Sequence, residues 1–188
     1  MKMEIVYVDV ETGGRDPSKH PILEIALGYG IEKFHSTVLE SDELVIEPEA
    51  FSYNGFNLSY LQASLGPANV TSNIMGWIGK DLGIKVPITL CGWNTAFDAS
   101  FIHRLYMLAG YSRDETYDVF HYRTIDLYSV AKFLSDIYPD KFPEKITSHE
   151  CFQHFGCYEP NDEEKRHTAL YDMRCAQRLH WAFQGLFK

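Results

Sequence analysis

Five side chains in this sequence have the types and spacing to do chemistry together: Asp9, Glu11, Asp98, His167 and Asp172. Asp9 and Glu11 stand two residues apart at the end of an apolar run, and the period-two geometry of a strand points both to one face. Two carboxylates so placed repel each other and lose hydration, a cost that a cation or a proton relieves. Asp98 follows a second apolar run, so if the two strands are neighbours, three carboxylates converge at one sheet edge. His167 and Asp172 are five residues apart, which in a regular helix separates them by about 140°. Both reach one site only if His167 precedes the regular helix, on the polar stretch Glu159–Arg166. Hard oxygen ligands suit Mg²⁺ or Mn²⁺, and a histidine titrating near neutrality suits proton transfer.

Each of these residues also has a plainer reading. Glu11 could leave the strand into solvent while Asp9 caps a turn, and Asp98 could serve only the helix dipole. His167 could be a surface histidine and Asp172 an acid in a first turn. Asp126, between a strand and a helix, reads as a helix cap and not as a ligand. Cys151, His154 and Cys157 lie close in sequence, but without a second ligand pair they read as the apolar face of a helix and not as a zinc site.

The elements that must position these residues follow from hydrophobic periodicity. Ile5–Val10 reads as a buried strand ending at the Thr12-Gly13-Gly14 turn. Ile22–Tyr29 and Lys33–Leu39 read as two more strands around Gly30, an antiparallel meander. A helix over Ser72–Leu82, a strand at Ile88–Trp93 and a helix over Phe97–Leu108 follow, the last with Phe97 in the core stripe. Tyr122–Leu127 reads as a strand leading into a helix that ends before Pro139. Two more helices are expected near Ile146–Phe155 and over Thr168–Phe187. Strands first and strand–helix alternation afterwards give an α/β fold with a mixed central sheet.

The 188 residues fit one domain spanning 1–188, and 45% hydrophobic with 23% charged residues is ordinary globular composition. No apolar stretch approaches a membrane span, so no membrane role is expected and a cytoplasmic location is the default. The four cysteines read as buried thiols. The net charge of −9, from 17 basic against 26 acidic residues, argues against broad binding of duplex nucleic acid.

Taken together, Asp9-Val10-Glu11-Thr12, then Trp93-Asn94-Thr95-Ala96-Phe97-Asp98, then His167 with four residues to Asp172, resemble the three motifs of the DEDDh exonucleases. That DnaQ-like group includes the proofreading ε subunit of DNA polymerase, oligoribonuclease and ribonuclease T. The order matches and the likeness runs from Asp9 to the last helix, with Ile22-Leu23-Glu24-Ile25-Ala26 similar to the family's second strand. The resemblance implies a ribonuclease H-like five-stranded sheet flanked by helices. It implies 3′→5′ hydrolysis of single-stranded DNA or RNA to nucleoside 5′-monophosphates, with two divalent cations, Mg²⁺ or Mn²⁺, held by Asp9, Glu11, Asp98 and Asp172. His167 would be the general base. The tyrosine-type subgroup carries Tyr four residues before the last Asp, where this chain has Thr168.

Substrate contacts implied by the resemblance fall on Thr12 and Gly13, with Asn94 in the second motif as a further candidate. Ala50–Tyr60 interleaves aromatics with Asn54, Gly55 and Asn57, so Asn54 and Phe56 are candidates for the terminal nucleotide, since an exposed ring stacks on any base. Lys165 and Arg166 could touch phosphate. Four carboxylates and two divalent cations cancel formally, so a loaded site need not repel phosphate despite the acidic whole. An acidic surface predicts weak grip and distributive action, or dependence on a homodimer partner or a polymerase or repair protein. Two readings from other classes stay open: a metal phosphodiesterase for dinucleotides or nucleotide conjugates, and a catalytically silent binding module.

Overall fold

A computed structural model describes residues 3–41, 45–50, 61–159 and 167–186. Three antiparallel strands open the chain: β1 (Ile5–Thr12), β2 (Ile22–Tyr29) and β3 (Glu32–Thr37). Gly30, at φ +60°, makes the tight turn between the last two. After helix α1 (Pro67–Gly76) and a π turn over Trp77–Asp81, strand β4 (Thr89–Gly92) pairs parallel to β1. Helices α2 (Thr95–Leu108) and α3 (Arg113–Val119) lead to the two-residue strand β5 (Ile125–Asp126) and then to α4 (Leu127–Ile137). Helices α5 (Ser148–His154) and α6 (Ala169–Gly185) complete the described elements. The sheet is mixed and five-stranded, in the order β3-β2-β1-β4-β5.

Alternation along β1 divides the core. Val6, Val8 and Val10 pack on one face with Phe101, Ile102 and Leu105 of α2. Tyr7 faces the other way, into the cluster formed with Leu179 and Phe183 of α6 and Leu127 of α4. Asp9 and Glu11 have the parity of Tyr7 and therefore lie on the α6 side. Gly92 permits the close approach of β4 to β1, because a Cβ there would lie 2.6 Å from the Val8 carbonyl oxygen.

The departures from the sequence expectations have physical causes. The first helix begins at Pro67, five residues early, since Pro is pre-organised for a first helical turn. Helix α3 was missed although Ser112 and Glu115 form a complete capping box. β5 is shorter than Tyr122–Leu127 because only Ile125 and Asp126 find partners on β4, while Tyr122 is exposed. Among the described residues no helix is long and apolar enough to cross a membrane.

Candidate active site

The sheet changes hand at β1, which is antiparallel to β2 and parallel to β4. Open sheets form their crevices where carboxyl ends of strands meet such a switch. Asp9 and Glu11 end β1 there, and Asp98 lies one turn into α2, directly after β4. His167 and Asp172 come from the other side of the sheet, at the entrance to α6. All five line one cavity of about 520 Å³.

Carboxylate oxygens of Asp9, Glu11 and Asp172 all lie within 4.8 Å of one another. Asp98 lines the same cavity but stands apart from that cluster; its Oδ1 accepts the Val10 backbone N–H at 3.1 Å. It thus also pins the last turn of β1 to α2. Burial above all, then Asp98, Asp172, Glu11 and Glu24, holds the Asp9 carboxyl well above the usual carboxylate range. Glu11 is pushed up to about 9 by burial and by Asp172, Glu24 and Asp98. Burial raises Asp98 as well, opposed by the backbone N–H groups it accepts. Proton-hungry carboxyls crowded into one cavity are the donor set that a hard divalent cation satisfies.

His167 sits outside the helix, as its angular separation from Asp172 requires. Its φ of +65° puts it in the left-handed region, a strained choice for a residue with a Cβ. That bend turns the chain just before α6, whose first turn carries Asp172.

One functional neighbour escaped the sequence reading. Glu24 is buried and stands directly opposite Glu11 across the β1–β2 ladder. One of its oxygens accepts the Ala169 N–H at 3.1 Å, and the other pairs closely with His35 Nε2. A buried acid within an otherwise apolar strand, Ile22-Leu23-Glu24-Ile25, was the available signal. His149 also lines the cavity, and nothing in its local sequence spacing points to that place.

The proposed substrate contacts are dispersed. Thr12 lines a second cavity of about 460 Å³ that shares Glu11 and Phe97 with the first. Phe97, expected in the core stripe, is only half-buried; it packs on Phe101 at 4.8 Å and borders both cavities. Gly13 is buried, its N–H committed to the Pro21 carbonyl at 2.9 Å and its carbonyl to the Glu47 N–H at 2.7 Å. Asn94 is exposed at the start of α2 with φ +58°, and its N–H donates to Asp126 Oδ1 at 2.8 Å. Asp126 is the cap expected, accepting from Tyr128 N and Ser129 N of α4. Asn54, Phe56, Lys165 and Arg166 lie outside the described residues. The cysteines are free and buried; burial lifts Cys151 to about 11 and Cys157 to about 12, and His154 is bonded to the Lys141 carbonyl. Among the described residues, Cys151, His154 and Cys157 do not bring their ligand atoms together into a cluster.

No family model matches the chain. It is 24% identical over 164 residues to an oligoribonuclease of Dichelobacter nodosus, covering 81% of this chain and 87% of that protein. Exonuclease I of E. coli in complex with a dA16 oligonucleotide superposes with a TM-score of 0.74 at 16% identity, over 99% of this chain and 43% of that one. This chain has the fold of these exonuclease I structures. A product-bound exonuclease I gives 0.76 at 15% identity, over 98% and 44% of the two chains. The exonuclease I of Methylocaldum szegediense gives 0.73 at 17% identity, over 99% and 43%. The chain therefore spans less than half the length of the exonuclease I structures it matches.

Proposed function

We propose that this chain is a divalent-metal-dependent 3′→5′ exonuclease that removes nucleoside 5′-monophosphates from single-stranded nucleic acid. The observation that carries the reading is the cluster of Asp9, Glu11 and Asp172 oxygens within 4.8 Å, in a cavity that also holds Asp98 and His167. Asp9, Glu11 and Asp172 would hold two cations, Mg²⁺ or Mn²⁺, with Asp98 completing the set through the oxygen that Val10 leaves open. Bound there, such cations supply charge stabilisation at phosphorus and lower the pKa of an attacking water.

The chain's own residues supply the rest. His167 accepts the proton of the attacking water at a ring nitrogen; its place on a bend before α6 lets it approach once a strand is seated. Phe97 and Trp93 supply apolar surface to the cavity wall. A cavity of about 520 Å³ is the size of a site for one terminal nucleotide of a single strand. The oligonucleotide bound to E. coli exonuclease I is consistent with such a substrate. Residues 1–188 act in this reading as one catalytic unit in the cytoplasm, which fits the buried free thiols. A homodimer or a polymerase or repair partner would add the grip that a net charge of −9 withholds.

Time-resolved cleavage of 5′-labelled single-stranded DNA and matched RNA, with Mg²⁺, Mn²⁺ or EDTA and with Asp9→Ala as control, tests the reading. A metal-dependent ladder shortening from the 3′ end, absent in Asp9→Ala, is expected, and its rates report the preferred sugar. Intact strands under every metal would overturn it.

A further inference from the structure

Beyond the five motif residues, His149 on the first turn of α5 borders the same cavity. We propose that His149 donates a hydrogen bond to a non-bridging oxygen of the phosphodiester on the 5′ side of the scissile one, and so helps hold the strand in register. The inference rests on the exonuclease reading.

The charge of the cavity favours such a donor. Among its described lining residues, four are carboxylates and the basic side chains are His149 and His167 alone. The scissile phosphate belongs with the carboxylate cluster, and His167 with the water. A further phosphate brought into this space meets acids and apolar side chains, with Ser148, Tyr158 and Trp93 as neutral donors and His149 as the basic side chain His167 leaves for it. A phosphate without a donor in a partly desolvated cleft is costly, and one hydrogen bond to a charged oxygen removes much of that cost.

His149 is exposed, yet it does not behave as a free surface ring. Its Nδ1 lies 3.1 Å from the Tyr158 hydroxyl, and the two rings sit 5.8 Å apart at 39°. Tyr158 is itself braced, stacked parallel to Tyr171 at 6.3 Å and edge-on to Phe152 at 5.9 Å. When the Tyr158 hydroxyl donates to Nδ1, the imidazole proton resides on Nε2, so even neutral His149 presents an N–H donor. The aromatic brace therefore holds the ring at the rim of an acidic cavity, with Nε2 as the donor in the tautomer that accepts from Tyr158. A histidine serving only to pack against Tyr158 would do so equally well whatever strand is bound.

The experiment is a cycle between protein and substrate. Single methylphosphonate linkages are walked through a short single strand, and KM and kcat are measured for the wild type, His149→Leu and Tyr158→Phe with Mn²⁺. The inference expects His149→Leu to raise KM for the unmodified strand about tenfold, with kcat within about threefold. The methylphosphonate next to the scissile linkage should raise KM about tenfold in the wild type and less than about twofold in His149→Leu, with Tyr158→Phe between them. Equal penalties at every position in wild type and His149→Leu would overturn it, as would a loss in His149→Leu confined to kcat. A wild type that leaves the unmodified strand intact would instead sink the exonuclease reading, which separates the two failures.

Discussion

Glu11 and Glu24 are direct cross-strand partners on β1 and β2, but only Glu11 joins the carboxylate cluster with Asp9 and Asp172. Glu24 turns its two oxygens to the Ala169 backbone N–H and to His35. One member of the pair offers charge to the cavity; the other ties the N-terminus of α6, and with it His167 and Asp172, to the sheet.

Glu24→Ala should therefore cost both stability and turnover. Losing the acceptor leaves a buried Ala169 N–H unsatisfied, worth about 1–3 kcal/mol, and loosens the bend that carries His167. Glu24→Gln keeps an acceptor oxygen for that N–H, and should recover most of the stability. Urea denaturation of the two variants, followed by initial rates, checks this. Equal stability of both variants would remove the tether as the explanation.

Stability without metal should fall as pH rises. Glu11 titrates at about 9 in the fold, against an ordinary value of 4.5. Between those values the folded state binds more protons than the unfolded chain. Its contribution is fully present below pH 4.5 and is lost as pH climbs through 9. Asp9 and Asp98 are shifted the same way. In EDTA at pH 8, Glu11→Gln should be more stable than the wild type by about 1–2 kcal/mol, and its stability should depend less on pH. A steeper pH dependence in the variant would contradict the direction of the shift.

Cation binding should reverse that loss. Mn²⁺ at about a thousand times its Kd should stabilise the protein by about 4 kcal/mol at pH 8, with protons released on binding. Asp9→Asn, Glu11→Gln and Asp172→Asn should each weaken Mn²⁺ binding more than Asp98→Asn, because Asp98 stands outside the close cluster. Calorimetric titration of the four variants in two buffers of different ionisation heat tests both the ranking and the proton release.

His167 should separate catalysis from folding. His167→Ala is expected to lower kcat by about 10²–10⁴-fold while leaving the fold intact. His167→Gly should be equally inactive and more stable than His167→Ala by about 1 kcal/mol, since only glycine adopts a φ of +65° without steric cost. Thermal melts of the two variants side by side give the comparison.

The Glu40–Arg104 pair, its carboxylate buried and its guanidinium partly exposed, holds the first-motif turn against α2. Arg104 Nε donates to Glu40 Oε2 at 2.8 Å, Glu40 Oε1 accepts the Ile22 N–H at 3.0 Å, and Arg104 also reaches the Pro17 carbonyl at 3.1 Å. Arg104→Met should destabilise the protein by about 3–5 kcal/mol, because it strands a carboxylate that is only 2% exposed. A chemical-denaturation midpoint unchanged from the wild type would show that solvent replaces the arginine.

Much of this protein was legible in its sequence because the signals are local. Apolar runs bounded by the Thr12-Gly13-Gly14 and Gly30 turns marked β1 and β2, and the angular mismatch between His167 and Asp172 required the histidine to lie outside the helix, where it is found. Asp126 read as a cap from its place between strand and helix. The Ser112 and Glu115 capping box was equally local and was passed over. Other features depend on distance in space. That Asp172 joins Asp9 and Glu11 while Asp98 turns one oxygen to Val10 depends on how α2 and α6 cross the sheet edge. The roles of Glu24 and His149 were invisible for the same reason: one acts on a backbone N–H 145 residues away, and the other acquires meaning from the cavity it borders. Residue type and spacing determined which chemistry was available; packing of the helices against the two faces of one sheet decided which atoms share it, because a carboxylate's proton affinity and reach depend on neighbours that only the folded chain brings together.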